Sequence, residues 1–381
     1  MELNSDQRAA IDGAVNNQFI FSITGSAGTG KSTVIKAIYE TLSGEGKRVQ
    51  VIAPTGRASN LLRTKIGQGE TIHRFLGYFS RDNGDSYQPR FTRENPITDV
   101  DVVIVDEASM VNREVWDNLL KALPDRVRVV LVGDANQLPP IEQTPQKSAF
   151  KLCLEHYPKV ELKQRYRFGK QAQLSQLSDD VLDDNYRGIV SSGLAYRLDG
   201  VTDESQLNRL AATPKYYGME CQIIAPTYRG NTGCDYINRL CQIHRWGSDI
   251  KWLTTTLAKG DKVITTVNTE DFYNGDLFYL EGITDNEVIF QGKTVCRWFK
   301  PVAGKVIDLV NCIKPAYCIT THKSQGGEYH DVVYILGRSS IPVANRANIY
   351  TGVTRSSENF VMLYDYYTLT RGLKRTDDCV G

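Results

Sequence analysis

The chain contains the stretch Gly25-Ser26-Ala27-Gly28-Thr29-Gly30-Lys31-Ser32, which directly follows an apolar run at residues 19–23. Glycines at this spacing allow successive backbone N–H groups to point at the phosphate oxygens of a nucleotide, and the lysine adds a positive charge there. Apolar side chains recur at helical spacing after Ser32, so the loop is predicted to begin a helix whose N-terminus faces the phosphates. The strand, the loop and the helix together predict a nucleotide-binding α/β domain.

The composition indicates a folded protein of more than one domain. At 381 residues the chain is too long for one ordinary core, and 41% hydrophobic with 23% charged residues is typical of globular proteins. The formal net charge is +1, so nucleic-acid binding would require a local basic groove. Residues 1–18 lack the apolar core of a signal peptide, and no apolar run could span a bilayer, which predicts a cytoplasmic protein with no membrane partner.

The eight cysteines are scattered and form no C-x-x-C pair. In a cytosolic chain this pattern favours reduced side chains that pack as small apolar groups. Cys234, Cys241 and His244 are near one another in sequence, but their spacing matches no standard zinc module. We therefore predict no metal centre among them.

The N-terminal half alternates predicted strands and helices. Three β-branched runs at residues 49–55, 101–106 and 127–133 each end in polar residues, as strands inside a parallel sheet do when chemistry collects at their carboxyl ends. Residues 77–98 break this alternation and predict a small inserted hairpin. Residues 251–310 carry short alternating strands with Asn-Gly and Gly-Asp turns, which is typical of a small antiparallel barrel.

Asp106 and Glu107 follow the second of these apolar runs. An aspartate at the tip of such a strand can hold the Mg²⁺ that Ser32 also contacts, and the glutamate can accept a proton from the water that attacks the γ-phosphate. The alternative is an acidic pair that complements the dipole of a helix at residues 110–123. Because the phosphate-binding loop is present, we favour the catalytic interpretation.

Four further stretches, at residues 106–109, 131–140, 321–326 and 350–355, resemble the motifs of superfamily 1 helicases and occur in the expected order. The T-x-H-K-S-Q-G form and the Q-L-P-P ending are most similar to superfamily 1B, the RecD and Dda-like group. The resemblance extends over nearly the whole chain and implies an α/β fold with two RecA-like P-loop domains and parallel sheets. The implied domains are 1A (residues 1–76 and 99–160), a small inserted hairpin or pin called 1B (77–98), 2A (161–247 and 313–381) and an SH3-like β-barrel called 2B (248–312).

The resemblance also implies roles around the nucleotide. Gln7 would read adenine, Tyr166 would stack near it, and Gln137 would sense the γ-phosphate; Arg165 competes with Arg167 for the role of arginine finger. Mg²⁺ would be held by Ser32 and Asp106. The implied catalytic residues are Lys31, Glu107, Gln137, Arg167 and Arg355. The implied ATP-binding residues are Gln7, Gly25, Gly28, Thr29, Gly30, Lys31, Ser32, Thr33, Tyr166, Gly326 and Glu328.

A second set of residues would contact nucleic acid by this resemblance, through hydroxyl and imidazole groups that position a strand without reading its sequence. The hairpin occupies the place of a duplex-splitting pin, with Tyr87 and Phe91 as candidate tips. The alternative is that both aromatic side chains pack the hairpin onto its domain. The implied strand-contacting residues are Pro54, Thr55, Thr71, His73, Thr321 and His322.

The function that the resemblance implies is that of an ATP-dependent DNA helicase, which hydrolyses Mg-ATP between two RecA-like domains and translocates 5′ to 3′ on single-stranded DNA. The expected partners are single-stranded DNA, single-strand/duplex junctions and a single-strand-binding, replication or recombination protein, and the expected state is a monomer in a bacterial or phage-infected cell. Without the resemblance, the chemistry of the residues predicts only a Mg-dependent nucleoside triphosphatase with two closing domains. Three alternatives stay open: a translocase or remodeller without strong unwinding, a viral-type RNA helicase, and a non-catalytic ATP-gated binding module.

Overall fold

The chain divides into two units, the first containing the described residues up to 166 and the second those from 170 onward. Among the described residues, no helix has both the length and the apolar character that crossing a membrane requires. A computed structural model describes residues 3–17, 19–77, 79–80, 87–88, 96–140, 147–166, 170–198, 203–267, 269, 271–299 and 306–376.

The first unit is built on a parallel sheet. Its strands are β1 (Ile20–Gly25), β2 (Val49–Ala53), β3 (Glu70–Thr71), β6 (Val102–Val105), β7 (Arg128–Gly133) and β8 (Lys159–Leu162), and a separate antiparallel pair is formed by β4 (Phe79–Ser80) and β5 (Tyr87–Gln88). The six strands have the order β3-β2-β6-β7-β1-β8, and every neighbouring pair is parallel. All four residues of β6 are buried, which explains its continuous apolar run.

Helices cover both faces of this sheet and divide the core into two apolar clusters. One cluster contains Trp116 and Phe150, and the other contains Ile35 and Leu42. The helix that we expected over residues 110–123 begins only at Arg113, after a 3₁₀ turn. The helices are α1 (Ser5–Asn16), α2 (Lys31–Gly44), α3 (Gly56–Ile66), α4 (Ile72–Phe75), α5 (Arg113–Ala122) and α6 (Ala149–His156).

The second unit contains another parallel sheet and an antiparallel insertion. Its first strands are β9 (Ala195–Arg197) and β10 (Cys221–Ala225), and its last are β18 (Cys318–Thr320), β19 (Tyr329–Leu336) and β20 (Ser356–Tyr364). These five form a parallel sheet in the order β18-β10-β19-β20-β9. The helices around it are α7 (Lys170–Leu182), α8 (Tyr186–Ser191), α9 (Asp203–Ala211), α10 (Cys234–Trp246), α11 (Thr321–Ser324), α12 (Arg346–Val353) and α13 (Tyr366–Lys374).

The insertion lies between α10 and β18. Its strands are β11 (Lys262–Thr265), β12 (Leu277–Ile283), β13 (Glu287–Phe290), β14 (Lys293–Cys296), β15 (Trp298–Phe299), β16 (Ile307–Asp308) and β17 (Ile313–Pro315). Five of them form an antiparallel sheet in the order β14-β13-β12-β11-β17. The antiparallel pattern agrees with the sequence, whereas the SH3-like identity of the insertion stays a prediction.

A buried ionic group attaches the insertion to the rest of the second unit. Lys262 on β11 is fully buried, and its Nζ donates to the carbonyl oxygens of Gly218 (3.0 Å) and Cys221 (2.7 Å). The neighbouring Asp261 is also fully buried and accepts a hydrogen bond from the hydroxyl of Tyr317 at 3.0 Å. The first strand of the insertion is therefore held by main-chain atoms outside the insertion.

The α/β class with two parallel sheets is as predicted, but the boundary after residue 160 is not. Strand β8 pairs with β1, and the backbone N–H of Tyr166 donates to the carbonyl oxygen of Gly28 at 2.9 Å. The first unit therefore continues through residue 166. Only one residue of β8, Leu162, is buried, so this strand lacks the apolar run by which the interior strands were recognised.

Candidate functional site

The phosphate-binding loop connects β1 to α2, as the sequence predicts. Gly28 and Gly30 have φ angles of 83° and 85°, a left-handed conformation that favours glycine. A Cβ atom on Gly30 would also lie 2.4 Å from Nε2 of Gln7, so a side chain there would have to displace the end of the Gln7 side chain. The backbone conformation of the loop therefore favours glycine at both positions.

The amino group of Lys31 lies against this loop. Its Nζ donates to the carbonyl oxygens of Gly25 (2.7 Å) and Ser26 (3.0 Å). Arg165 also reaches the loop, since its Nη2 donates to Oγ of Ser26 at 3.1 Å. Two cationic side chains thus converge on one glycine-rich turn at the N-terminus of α2, which suits a polyanionic ligand.

Gln7 and Tyr166 lie beside the same loop. Gln7 is buried, its Nε2 donates to the carbonyl oxygen of Thr29 at 3.2 Å, and its Oε1 accepts the backbone N–H of Asn4 in a capping box. The hydroxyl of Tyr166 also donates to Oε1 of Gln7, at 3.4 Å. The structure brings together the two residues assigned to adenine, while their contact with a base stays a prediction.

The acidic pair stands at the carboxyl end of β6. Oδ1 of Asp106 accepts the backbone N–H of Glu107 at 2.9 Å. Burial, followed by the charge of Glu107, raises the pKa of Asp106 to about 7, while the charge of Lys31 acts in the opposite direction. This carboxylate therefore lies within electrostatic reach of the phosphate-binding loop.

Glu107 has an unusual backbone and an unpartnered carboxylate oxygen. Its φ is 49°, and Asp184 is the only other non-glycine residue with a positive φ in the described ranges. A non-glycine residue in this region stores strain of about 1–3 kcal/mol, which tends to occur at functional sites. Its Oε2 is buried and has no hydrogen-bond partner among the described residues, so the group fits a proton acceptor for a bound water.

Gln137 follows β7, the neighbour of β6 and β1 in the sheet. It is buried, its Nε2 makes a long contact of 3.4 Å with Oδ2 of Asp134, and its Oε1 has no partner among the described residues. Because the carboxyl ends of parallel strands meet at one edge, Gln137 and Glu107 lie on the edge that also carries the phosphate-binding loop. A bound nucleotide with a divalent cation would give the unpartnered oxygens of Glu107 and Gln137 a partner and would stabilise the charged form of Asp106. The three residues therefore fit such a ligand.

In the second unit, Arg355 is held by its own surroundings. It is 5% exposed, and its guanidinium donates to the carbonyl oxygens of Thr351 (3.1 Å) and Gly327 (3.0 Å) and to Oγ1 of Thr354 (3.2 Å). Gly326, with a φ of 71°, and the exposed Glu328 flank this contact in sequence. Arg167 and Phe91 lie outside the described residues, as does the side chain of Tyr87.

The strand-contacting residues predicted in the first unit lie at one edge of its sheet. Pro54 and Thr55 follow β2. Thr71 is the last residue of the adjacent β3, and His73 follows it. The side chains of Thr55 and Thr71 cap α3 and α4, which fixes the loops that carry them. Burial lowers the pKa of His73, so its imidazole favours the neutral form.

The placement of Thr321 does not support a strand contact. Thr321 is fully buried, and its hydroxyl donates to Oδ1 of Asn348 at 2.8 Å, so its side chain faces the core. The sequence analysis assigned the strand contact to Thr321. The preceding residue, Thr320, is the threonine whose side chain caps α11. His322 is partly buried, and burial lowers its pKa.

Sequence reasoning missed a cationic cluster beside His322. Nζ of Lys314 lies 5.5 Å and Nζ of Lys323 lies 6.0 Å from the ring centroid of Tyr228, and neither lysine forms an ion pair within the described part of the chain. Burial, and then the charge of Lys314, lowers the pKa of Lys323 to about 8. A signal was available: the last residue of β10 begins an Ala-Pro-Thr sequence directly before Tyr228, as the last residue of β2 does before Gly56.

Comparisons with known proteins agree with these motifs. A family model described as an AAA domain matches residues 2–192, and one described as a UvrD-like helicase C-terminal domain matches residues 315–363. The ATP-dependent RecD2 DNA helicase of Deinococcus radiodurans is 27% identical over 94% of this chain and 48% of that protein. The RecBCD enzyme subunit RecD of Haemophilus influenzae is 23% identical over 97% of this chain and 70% of that protein. The chain thus spans about half the length of the first relative and about 70% of the second.

Solved structures with the same fold are also helicases. The Pif1 helicase from Bacteroides, in complex with ADP-AlF3 and ssDNA, matches 99% of this chain and 95% of its own with a TM-score of 0.64 and 18% identity. The Pif1 helicase from Candida albicans matches 97% of each chain with a TM-score of 0.58 and 18% identity. The chain therefore belongs to the AAA domain family, and its helicase C-terminal match and its relatives place it, as the motifs predict, among the superfamily 1B helicases of the RecD-like group.

Proposed function

We propose that the chain is an ATP-dependent DNA helicase that hydrolyses ATP and translocates 5′ to 3′ on single-stranded DNA. The observation that carries the proposal is Glu107 at the edge of the sheet that bears the phosphate-binding loop, with one buried carboxylate oxygen that has no partner in the described structure. A carboxylate placed there can take the proton of a water that attacks the γ-phosphate. The RecD2 relative, whose name describes a DNA helicase, supports the choice of DNA and of unwinding.

Ser32 and Asp106 are the residues that would hold Mg²⁺. A nearby cation stabilises the charged form of a carboxylate whose pKa burial has raised, as it has for Asp106. When bound, Mg²⁺ would neutralise part of the negative charge of the phosphates. The chain's own groups bind the phosphates through the loop N–H donors and Lys31, and Gln137 with Glu107 orients the attacking water.

The second unit completes the proposal. Residues 1–76 and 99–167 act as domain 1A, 77–98 as the pin, 168–247 and 313–381 as domain 2A, and 248–312 as an SH3-like barrel. Domain 2A supplies Arg355 to the γ-phosphate, with Arg167 or Arg165 from the connecting segment. An arginine delivered only on closure accelerates phosphoryl transfer and links hydrolysis to movement.

Single-stranded DNA is bound through its phosphates. In the first unit the groups after β2 and β3 contribute, and in the second unit His322 and the cluster of Tyr228, Lys314 and Lys323 contribute. Cationic and aromatic groups bind a strand without reading its sequence. We infer a monomer that acts with a single-strand-binding or replication protein.

The test compares ATP turnover with no oligonucleotide, with single-stranded DNA and with single-stranded RNA, and strand displacement on duplexes with a 5′ or a 3′ tail. We expect turnover to rise with DNA and displacement to require a 5′ tail. Equal turnover with and without any oligonucleotide rejects a motor. Equal stimulation by RNA favours an RNA helicase, and stimulation without displacement favours a translocase.

A further inference from the structure

Three polar side chains meet inside the apolar core of the second unit. Oδ1 of Asn348 on α12 accepts the hydroxyl of Thr321 on α11 and the hydroxyl of Tyr334 on β19, both at 2.8 Å. Thr321 and Tyr334 are 0% exposed and Asn348 is 1% exposed. The contact therefore joins α11, α12 and the central sheet away from water.

The surroundings would accept an apolar side chain at each of these positions. Every residue of α12 from Ala347 to Val353 is buried, and Ile349 and Val353 belong to the same apolar core as Ile319 and Tyr334. Nδ2 of Asn348 finds no hydrogen-bond partner among the described residues. Since an unpaired buried donor is unfavourable, the free Nδ2 offsets part of the stability that the two hydrogen bonds to Oδ1 contribute. The best-documented role of such buried polar groups is to select one arrangement of the neighbouring elements over others.

The two helices that Asn348 connects carry the two chemistries of the proposed motor. Helix α11 presents His322 and Lys323 to the strand-binding surface. Helix α12 leads directly into Arg355, whose guanidinium is hydrogen-bonded to Thr351 on that helix and to Gly327 just beyond α11. Asn348 and Gly327 therefore provide two hydrogen-bonded connections between the α11 region and the arginine.

We propose that Asn348 is a positioning residue that couples strand binding on α11 to the placement of Arg355 for ATP hydrolysis. The proposal rests on the proposed strand-stimulated ATPase. Its main prediction is that breaking the link between α11 and α12 leaves binding and folding intact but removes stimulation. Coupling between two sites of a protein commonly amounts to factors of about 5 to 150, which sets the size of the expected effect.

The decisive variant is Asn348→Leu, which replaces the amide by an apolar group of similar size. Its melting temperature should fall, because the buried hydroxyls of Thr321 and Tyr334 lose their acceptor, so its activity is measured at a temperature at which circular dichroism shows the variant to be folded. Its turnover without oligonucleotide and its affinity for a fluorescent single-stranded oligonucleotide should change by less than about twofold. The ratio of turnover with saturating oligonucleotide to turnover without it should fall by about tenfold.

Three further variants separate coupling from packing. Thr321→Val removes the hydroxyl with little change of shape and should lose stimulation, whereas Thr321→Ser keeps the hydroxyl and should retain it. Tyr334→Phe leaves the Thr321–Asn348 bond in place and should also retain it. The double variant Thr321→Val/Asn348→Leu should be no worse than Asn348→Leu alone, since both changes break the same link.

The outcomes distinguish the two proposals. If the wild type is not stimulated by DNA or RNA, the proposed function fails and the coupling role fails with it. If the wild type is stimulated and Asn348→Leu retains its stimulation ratio within about twofold, the coupling role alone is overturned. It is also overturned if Tyr334→Phe or Thr321→Ser loses as much stimulation as Thr321→Val, because any disturbance of the core would then suffice.

Discussion

At the scale of single residues, the conformation of Glu107 distinguishes it from an ordinary acidic residue at a helix start. Its left-handed backbone turns the chain between β6 and a 3₁₀ turn, and the carboxylate is left with one oxygen that no described group pairs. A structural acidic pair would be expected to cap N–H groups, as Asp106 does for Glu107. The geometry therefore favours the catalytic interpretation over the helix-dipole alternative.

The variant Glu107→Gln tests this role. It keeps the size of the side chain and removes the proton acceptor, so kcat for ATP should fall by about 10²–10⁴ while ATP still binds. Lys31→Ala should instead abolish turnover by weakening phosphate binding. Lys36→Ala is the matched control, because that exposed lysine lies on the same helix and pairs with Glu40. Turnover of Glu107→Gln within about twofold of wild type would remove the residue from the mechanism.

The phosphate-binding residues were predictable because the motif itself is contiguous and each of its residues has a local reason. The roles of Thr321 and Asn348 were not, because their contact joins positions 27 residues apart and depends on how two helices pack. The positive φ of Glu107 was equally invisible, since glutamate has no special preference for that conformation. Residue types reveal chemistry, but tertiary packing decides which of two adjacent threonines caps α11 and which bonds to Asn348 in the core.

At the scale of elements, the cluster of Tyr228, Lys314 and Lys323 joins the segment after β10 to β17 and α11. Tyr228 lies 86 positions before Lys314, so no spacing rule could bring it together with the two lysines, although the repeated Ala-Pro-Thr at the ends of β2 and β10 pointed to it. Strand β8 was similarly missed as part of the first sheet because its residues are mostly exposed. Elements with continuous apolar runs, such as β6 and β7, were predicted within two residues.

The variant Lys314→Ala should weaken binding of a single-stranded oligonucleotide by a few-fold. The slope of log K against log salt should lose about 0.7, the value for one phosphate contact on a single strand. Lys293→Ala serves as control, since that lysine lies in the same insertion and pairs with Asp271. An unchanged slope, measured by fluorescence anisotropy between low and moderate salt, would place Lys314 outside the strand-binding surface.

Asp331 on β19 predicts a pH dependence of stability. Burial alone would raise its pKa, but hydrogen bonds from Lys215, Asn359 and Cys221 outweigh burial and hold the pKa at about 2, below the ordinary value of 3.8. A lowered carboxylate pKa stabilises the fold above the ordinary value, and this contribution is lost as pH falls towards 2. Asp331→Asn should therefore lower the free energy of unfolding at pH 7 by about 1–2 kcal/mol, allowing for the exposed lysine.

Urea unfolding of the wild type and Asp331→Asn at pH 7, 5, 4 and 3 checks this expectation. The difference between the two proteins should be constant from pH 7 to about pH 5 and shrink below about pH 4. A difference that persists unchanged at pH 3 would mean that the carboxylate charge is not what the three donors stabilise.

At the scale of the whole molecule, the two units each contain a parallel sheet with its own core, and the proposed chemistry is divided between them. The phosphate-binding loop, Glu107 and Gln137 belong to the first unit, whereas Arg355 belongs to the second. A net charge of +1 means that neither nucleotide nor DNA is attracted by the protein as a whole. Binding of either ligand must therefore depend on local clusters of charge.

The variant Arg355→Ala tests that cooperation. If the second unit supplies this arginine to the γ-phosphate, kcat should fall by about 10³ or more while ATP binding to the first unit is kept. Because Arg355 is buried and hydrogen-bonded, the melting temperature of the variant is measured together with its kcat. The variant Arg355→Lys, which retains the positive charge, is measured for comparison. Arg338→Ala, which alters an exposed arginine of the same unit, is the control. Loss of ATP binding instead of kcat would contradict the finger role.

The burial of Lys262 has a consequence for protein engineering. Its amino group donates hydrogen bonds to two carbonyl oxygens of a segment outside the insertion. The insertion therefore cannot be exchanged without affecting the rest of the second unit. A chimera that exchanges residues 248–312 for a different module would leave the buried Cys221 carbonyl oxygen without its donor, unless the new module placed a cation at the same position. Grafting should therefore succeed only when the splice points keep the first strand native.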